Sequence, residues 1–120
     1  MPYLKIQINQ DFDEKKKAEI MDKISKLVAK ELGKPESMIM IVLETATTMV
    51  FGGTNEPTLF MELKSVGLPE SKTSDLSKSL CDFAEQYLNV KKERVYIEFA
   101  NATGLMWGWN GNTIHHFFNI

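Results

Sequence analysis

The sequence predicts an α/β fold built from two pseudo-symmetric β-α-β repeats, which form a four-stranded sheet with two helices on one face. Polar and apolar residues alternate over Tyr3–Ile8, which is typical of a strand. Apolar residues at helical spacing and then a second apolar run, Met38–Leu43, follow it. The whole pattern returns after a shift of about 56 positions, which indicates an internal repeat. Each unit has the crossover that parallel strands require.

The first repeat occupies residues 2–45. Asp11 and Glu14 resemble a capping box at the start of its helix, and Gly33 stands where a left-handed C-terminal cap is expected. The helix is predicted to bury one face against the sheet. The apolar residues of that face are Ile20, Ile24, Leu27, Val28 and Leu32.

The second repeat occupies residues 58–100, and its first strand, Leu59–Lys64, is the counterpart of Tyr3–Ile8. Asn89, which also adopts left-handed caps, replaces Gly33. Phe51–Pro57 is predicted to be a turn between the repeats. Residues 104–120 are expected to form a hairpin with an Asn-Gly turn and a tail without assigned structure, so that one domain spans 1–120. The other counterparts are Leu76, Leu80, Phe83, Ala84, Leu88, Val95, Ile97 and Phe99.

The second strand of each repeat bears on assembly. Met38–Leu43 is apolar on both sides, and such a strand is normally buried on both faces. Two helices cover only one face of the predicted sheet, so the other face is expected to pack on another subunit. The alternative is a small single-layer α+β monomer.

Composition excludes several functions. The 120 residues carry a net charge of −2, which argues against a nucleic-acid partner. No apolar run approaches the roughly 20 residues of a membrane span, and no signal peptide is evident. The expected location is cytoplasmic, or outside the cell after release without a signal peptide.

A single cysteine, Cys81, cannot form an internal disulfide. No metal or cofactor is expected, since the neighbouring His115 and His116 would point to opposite faces of a strand.

Two residues are candidates for a catalytic or substrate-binding role. Removal of Met1 would leave Pro2 with a free secondary amine, and burial or a nearby cation would lower the pKa of that amine until it could act as a general base. A second-position proline is also a common feature of amino-terminal processing. Lys34 follows the first helix and could either stabilise the helix dipole or bind a substrate carboxylate.

Several motifs of this chain resemble the macrophage migration inhibitory factor family of the tautomerase superfamily. They occur in the family order over the whole chain, and they are specific as a set rather than singly. The motifs are Pro2-Tyr3, Gly33-Lys34-Pro35, residues 49–57, Lys64-Ser65-Val66-Gly67, Arg94-Val95-Tyr96-Ile97 and Gly108-Trp109-Asn110.

The resemblance implies a homotrimer with active sites between subunits and keto–enol tautomerisation of phenylpyruvate- or dopachrome-like substrates. Pro2 would be the catalytic base, Lys34 and the backbone at Val66 would hold the substrate carboxylate, and Tyr96 would come from the neighbouring subunit. Another function that it allows is a cytokine-like ligand of a protein receptor with a vestigial site; a purely structural trimer is disfavoured. The implied substrate-binding residues are Lys34, Ser65, Val66, Tyr96, Trp109, Met38 and Glu98.

The chain also departs from the family pattern. Vertebrate cytokines of the family carry Tyr in place of Met38, Asn in place of Glu98 and Phe in place of Ile114, and their CxxC is absent here. Because Tyr96 and Glu98 share a strand face, Glu98 is expected to approach the site, where its charge would disfavour free acids. The alternative is that Glu98 pairs with a surface cation.

Overall fold

The computed structural model describes residues 1–120 and confirms the predicted α/β fold. Four strands form one sheet, in the order Met40–Glu44, Tyr3–Ile8, Leu59–Val66 and Val95–Ala102. The first two of these are parallel, the last two are parallel, and the middle two are antiparallel. Each parallel pair is connected through a helix, which gives the two predicted β-α-β units. The elements are β1 (Tyr3–Ile8), α1 (Glu14–Leu32), β2 (Met40–Glu44), β3 (Leu59–Val66), α2 (Thr73–Leu88), β4 (Val95–Ala102), β5 (Gly108–Trp109), β6 (Asn112–Thr113) and α3 (Ile114–Phe118).

The core lies between the sheet and the two long helices. Alternate residues of β1 and β3 point to the helices and are buried, as the period of two predicts. Each buried large side chain contributes about 1.5–3 kcal/mol relative to an exposed one. The inward residues are Leu4, Ile6, Ile8, Leu59, Met61 and Leu63 from the strands, with Ile20, Ile24, Val28, Leu76, Leu80 and Phe83 from the helices.

Two of the three predicted helix ends are confirmed. Gly33 and Asn89 both end their helices in the left-handed conformation, with φ of 62° and 56°. The predicted capping box at Asp11 was wrong. Asp13 is the N-cap of α1, because its carboxylate accepts a hydrogen bond from the Lys16 amide at 2.7 Å. Asp11 instead accepts from the amide of Phe12.

The start of the second strand also differs from the prediction. Met38 belongs to a single helical turn, Glu36–Met38, in which its amide donates to the Pro35 carbonyl at 3.0 Å. The strand therefore begins at Met40, whose amide donates to the Pro2 carbonyl at 3.1 Å. This contact joins the start of β2 to the start of β1.

The carboxy-terminal segment is more ordered than the sequence suggested. The Asn-Gly hairpin is present as β5 and β6, but the tail forms the short helix α3. Thr113 caps α3, because its hydroxyl accepts from the His116 amide at 3.3 Å. Asn119 ends it with a φ of 54°. No helix of the protein is both long and apolar enough to cross a membrane.

The sheet face opposite the helices is open within the chain. Met40 and Tyr96 on this face are 62% and 61% exposed. Charged residues are mixed with them, and Glu62 forms an ion pair with Lys64 at 3.7 Å. The chain thus supplies cover for one face only, as expected from the two helices.

Candidate functional site

The amino end of the chain is buried. Pro2 precedes β1 and is itself buried, and Met1 is only 8% exposed. A proline fits here, because the first residue of a strand need not donate to the ladder. Pro2, Met38 and Trp109 line the same cavity of about 370 Å³, together with Met1, Ser37 and Trp107.

Met1 occupies the space beside Pro2. Its side chain forms a small cluster with the buried Val66 and Ile114, against which Met38 and Trp107 also pack. Val66 in turn lines a second cavity, also about 370 Å³, with Lys34 and Gly67. Met1 therefore lines the first cavity and contacts a residue that lines the second.

The electrostatics at the amino end disfavour a positive charge. Burial, and then the charge of Lys34, lower the pKa of the Met1 ammonium from 8.0 to about 6. Both causes belong to the place in the fold rather than to methionine. We therefore expect the same direction of shift for a Pro2 amine that begins the mature chain.

Lys34 follows the last residues of α1. Its backbone amide donates to the Ala29 carbonyl at 3.1 Å and so completes the helix cap after Gly33. Lys34 also lines the second cavity together with Val66. The position thus places a cation beside the amino end and near the backbone of β3.

Trp107 and Ile114 were missed by the sequence analysis. Trp107 lines the cavity with Trp109, two residues away along the β5 arm of the hairpin. Residues two apart on an extended segment share a face. The prediction of Trp109 as a site residue therefore also applies to Trp107. Ile114 is fully buried against Met1, and the only earlier signal was its departure from the family pattern.

Ser65 lies beside the site with its side chain turned away. Ser65 lies two residues after Leu63 and so points to the same buried side of β3, where it is 2% exposed. It lines neither cavity, and its hydroxyl lies 3.4 Å from the Val66 carbonyl. Any contribution of Ser65 to a bound ligand is therefore expected to come from its backbone.

Tyr96 is far from Pro2 in the same chain. Tyr96 of β4 is opposite Phe60 of β3, and Phe60 is opposite Gln7 of β1. Gln7 is about five positions beyond Pro2, or roughly 17 Å along the strand. Glu98 projects beside Tyr96 on the open face and forms no ion pair within the chain. Neither residue reaches the Pro2 cavity of its own chain.

A loop holds Tyr96 in place. Its ring packs on that of Phe51 with centroids 4.7 Å apart, and the Arg94 guanidinium lies 5.3 Å from the Phe51 ring. Arg94 also donates to the carbonyls of Phe51 at 3.0 Å and Pro57 at 2.9 Å. These hydrogen bonds explain why the turn at 51–57, which contains two glycines with positive φ, has a defined shape.

Two β-α-β units in one sheet, with the amino end of β1 buried at a cavity, make this a protein of the tautomerase-like fold. The model of the family described as macrophage migration inhibitory factor matches residues 1–115. The chain belongs to this family, which includes tautomerases and cytokine-like proteins. Membership supports an isomerase activity in general terms.

Several relatives match over most of their length. A macrophage migration inhibitory factor homolog of Brugia malayi is 35% identical over 114 residues, which are 94% of this chain and 98% of that protein. The solved structure of the Prochlorococcus marinus homologue has a TM-score of 0.86 at 34% identity, covering 93% of this chain and 98% of that one. The Trichinella spiralis structure gives 0.84 at 30% identity, covering 92% and 98%.

Proposed function

We propose that this protein is a keto–enol tautomerase whose general base is the Pro2 amine, freed by removal of Met1. The observation that carries the proposal is the buried amino end, where burial and Lys34 lower the pKa of the Met1 ammonium to about 6. An amine with such a pKa is largely neutral near pH 7, and only the neutral form has a lone pair that can accept a proton.

The reaction is a proton transfer without change of oxidation state. Neutral Pro2 removes a proton from the carbon next to the substrate carbonyl; the C–H bond breaks, and its electrons move onto the carbonyl oxygen as an enolate. The enolate oxygen then takes a proton from solvent, and the Pro2 ammonium returns its proton to solvent. This chemistry requires no cofactor. Lys34 would attract the substrate carboxylate and stabilise charge that develops on the oxygen.

The cavities suggest the class of substrate. Lys34 and Val66 line one cavity, and Trp107 and Trp109 line the other, with the amino end between them. A 2-keto acid with its carboxylate at Lys34 and its reacting carbon at Pro2 would direct its remaining group toward the tryptophans. Phenylpyruvate- and dopachrome-like compounds have this arrangement of a carboxylate and a ring.

The proposal is tested by an enol-to-keto assay with phenylpyruvate on protein whose intact mass shows that Met1 is absent. We expect turnover that follows the neutral form of Pro2, so that activity falls at acid pH, where that amine is protonated. Absence of turnover in folded, processed protein, or activity that does not fall at acid pH, would contradict the proposal.

We further propose that the site is completed in a homotrimer. Tyr96 is 61% exposed on the open sheet face, too far from its own Pro2 to line that cavity, whereas a neighbour's Tyr96 could reach it. Strands β2 and β4 are both edges of the sheet, and exposed edges are available for association.

Sedimentation equilibrium at micromolar concentration is expected to give three times the mass of the chain. Tyr96→Phe is expected to preserve that mass while altering the KM for phenylpyruvate, because the hydroxyl is lost and the ring remains. A stable, folded and active monomer would refute the assembly.

Glu98 is expected to reduce the preference for free acids. Its carboxylate shares the exposed face of β4 with Tyr96 and is opposite Glu62 of β3 rather than a cation. Beside a neighbour's Pro2 it would repel a substrate carboxylate and favour the ammonium form of the base, which raises the pKa of the base.

Glu98→Asn should therefore improve kcat/KM for phenylpyruvate over its methyl ester by about three- to tenfold, since an interaction of about 1 kcal/mol changes a constant about fivefold. The acid limb of its pH profile should move to lower pH. Glu62→Gln, on the neighbouring strand, is the matched control. An unchanged acid-to-ester ratio and pH profile would place Glu98 outside the site.

A further inference from the structure

The tryptophan that lines the Pro2 cavity is held from behind by two phenylalanines of α3. The Trp109 ring meets that of Phe117 edge-on, with centroids 5.0 Å apart and planes at 72°. It lies nearly parallel to that of Phe118, with centroids 6.1 Å apart and planes at 30°. Neither phenylalanine lines the cavity itself, so both act on it only through Trp109.

This support is fixed to the rest of the protein at both ends of α3. Thr113 caps the helix at its start. Beyond Asn119 the backbone packs on Gly104 so closely that a Cβ at Gly104 would lie 2.1 Å from the Ile120 carbonyl oxygen. The His115 ring also lies 3.1 Å from that oxygen. The phenylalanines are therefore carried on a docked segment.

Phe117 and Phe118 lie outside residues 1–115, the part of the chain that the family model matches. These side chains are 39% and 48% exposed, and the ring of each contacts that of Trp109.

We propose that Phe117 and Phe118 are positioning residues that hold Trp109 as a flat aromatic wall and so make the Pro2 cavity selective for substrates with an aromatic ring. The inference rests on the proposed tautomerase function and adds a specificity element to it. Edge-to-face and offset-stacked rings are favourable pairs. A Trp109 ring held on its outer side can meet a substrate ring on its inner side with little loss of side-chain freedom on binding.

The test compares Phe117→Leu, which removes the ring, with Phe117→Tyr, which keeps it. For Phe117→Leu we expect the KM for phenylpyruvate to rise about three- to tenfold, with kcat and the KM for the aliphatic keto acid 2-oxobutyrate changed less than about twofold. Phe117→Tyr should restore the wild-type KM. Phe118→Leu and Thr113→Ala, which weakens the cap of α3, should act in the same direction as Phe117→Leu.

A measurement without turnover separates this inference from the proposed function. The protein has two tryptophans, so 5-fluorotryptophan labelling gives two ¹⁹F resonances, assigned with Trp109→Phe. Phe117→Leu should shift or broaden the Trp109 resonance and leave that of Trp107 in place. It should also weaken binding of the non-reacting probe 3-phenylpropionate about three- to tenfold.

The outcomes divide as follows. If the wild type turns over neither keto acid, the proposed reaction fails, and the resonances and probe binding still decide the role of α3. An unchanged Trp109 resonance, an equal rise in KM for both keto acids, or loss of oligomeric assembly in Phe117→Leu would overturn the inference. The last result would mean that the phenylalanines pack on a neighbouring subunit.

Discussion

Protein that retains Met1 is expected to be folded and nearly inactive, with turnover of phenylpyruvate lowered by about 10²–10⁴-fold, the usual contribution of a positioned base. With Met1 attached, the Pro2 nitrogen is part of an amide and has no lone pair available for a proton. The fold is expected to persist, because the Met1 side chain packs against Val66 and Ile114 and is buried there.

Loss of the base must be distinguished from blockage of the cavity by the Met1 side chain. Met1→Gly, released from a cleavable amino-terminal fusion, keeps the Pro2 nitrogen as an amide and empties the space that the methionine fills. We expect this variant to bind 3-phenylpropionate and still to lack activity. Recovery of activity in Met1→Gly would mean that the methionine blocks the site and that Pro2 is not the base.

Pro2→Gly is the complementary variant, since its mature chain begins with a primary amine. It should retain a small fraction of the activity, because the amine remains while the ring that orients it is lost. Equal activity in the Met1-retained and processed proteins, each verified by intact mass, would exclude Pro2 as the base.

The repeat could be predicted from sequence because the same physical rule acts twice. The same shift that relates the strands also places Asn89 on Gly33, and both residues cap their helices in the left-handed conformation. Buried positions on a strand or helix recur with a fixed period, so the pattern survives even where residue types differ. Helix α3 carried no such signal, because five residues are too few to show a period.

The candidate site could be predicted only in part. Local chemistry made Pro2 and Lys34 candidates, the resemblance to the family implied their roles, and their proximity follows from the β1-α1 connection. The separation of Tyr96 from Pro2 depends on the pairing of β4 with β3, which the pattern of one strand does not contain. The inward direction of Ser65 follows from its alternation with Leu63 along β3.

The second large effect is expected at Lys34. Lys34→Ala should raise the KM for phenylpyruvate about 10- to 100-fold, since hydrogen bonds to charged groups contribute roughly 1.5–3 kcal/mol. The KM for the methyl ester, which has no carboxylate charge, should change little. Loss of a helix-terminal cation alone costs only about 0.3–1 kcal/mol of stability, so the variant should remain folded, which thermal unfolding can verify.

The same variant should change the pH dependence in a defined direction. The positive charge of Lys34 helps to lower the pKa of the amine at the amino end, so its removal should raise the pKa of Pro2. More of the base is then protonated at a given pH, and the acid limb of kcat/KM should move to higher pH for both the acid and the ester. Lys34→Arg keeps the charge and should leave that limb in place. If Lys34→Ala lowers kcat/KM equally for the acid and the ester and leaves the acid limb where it was, the role of Lys34 is only to stabilise the end of α1.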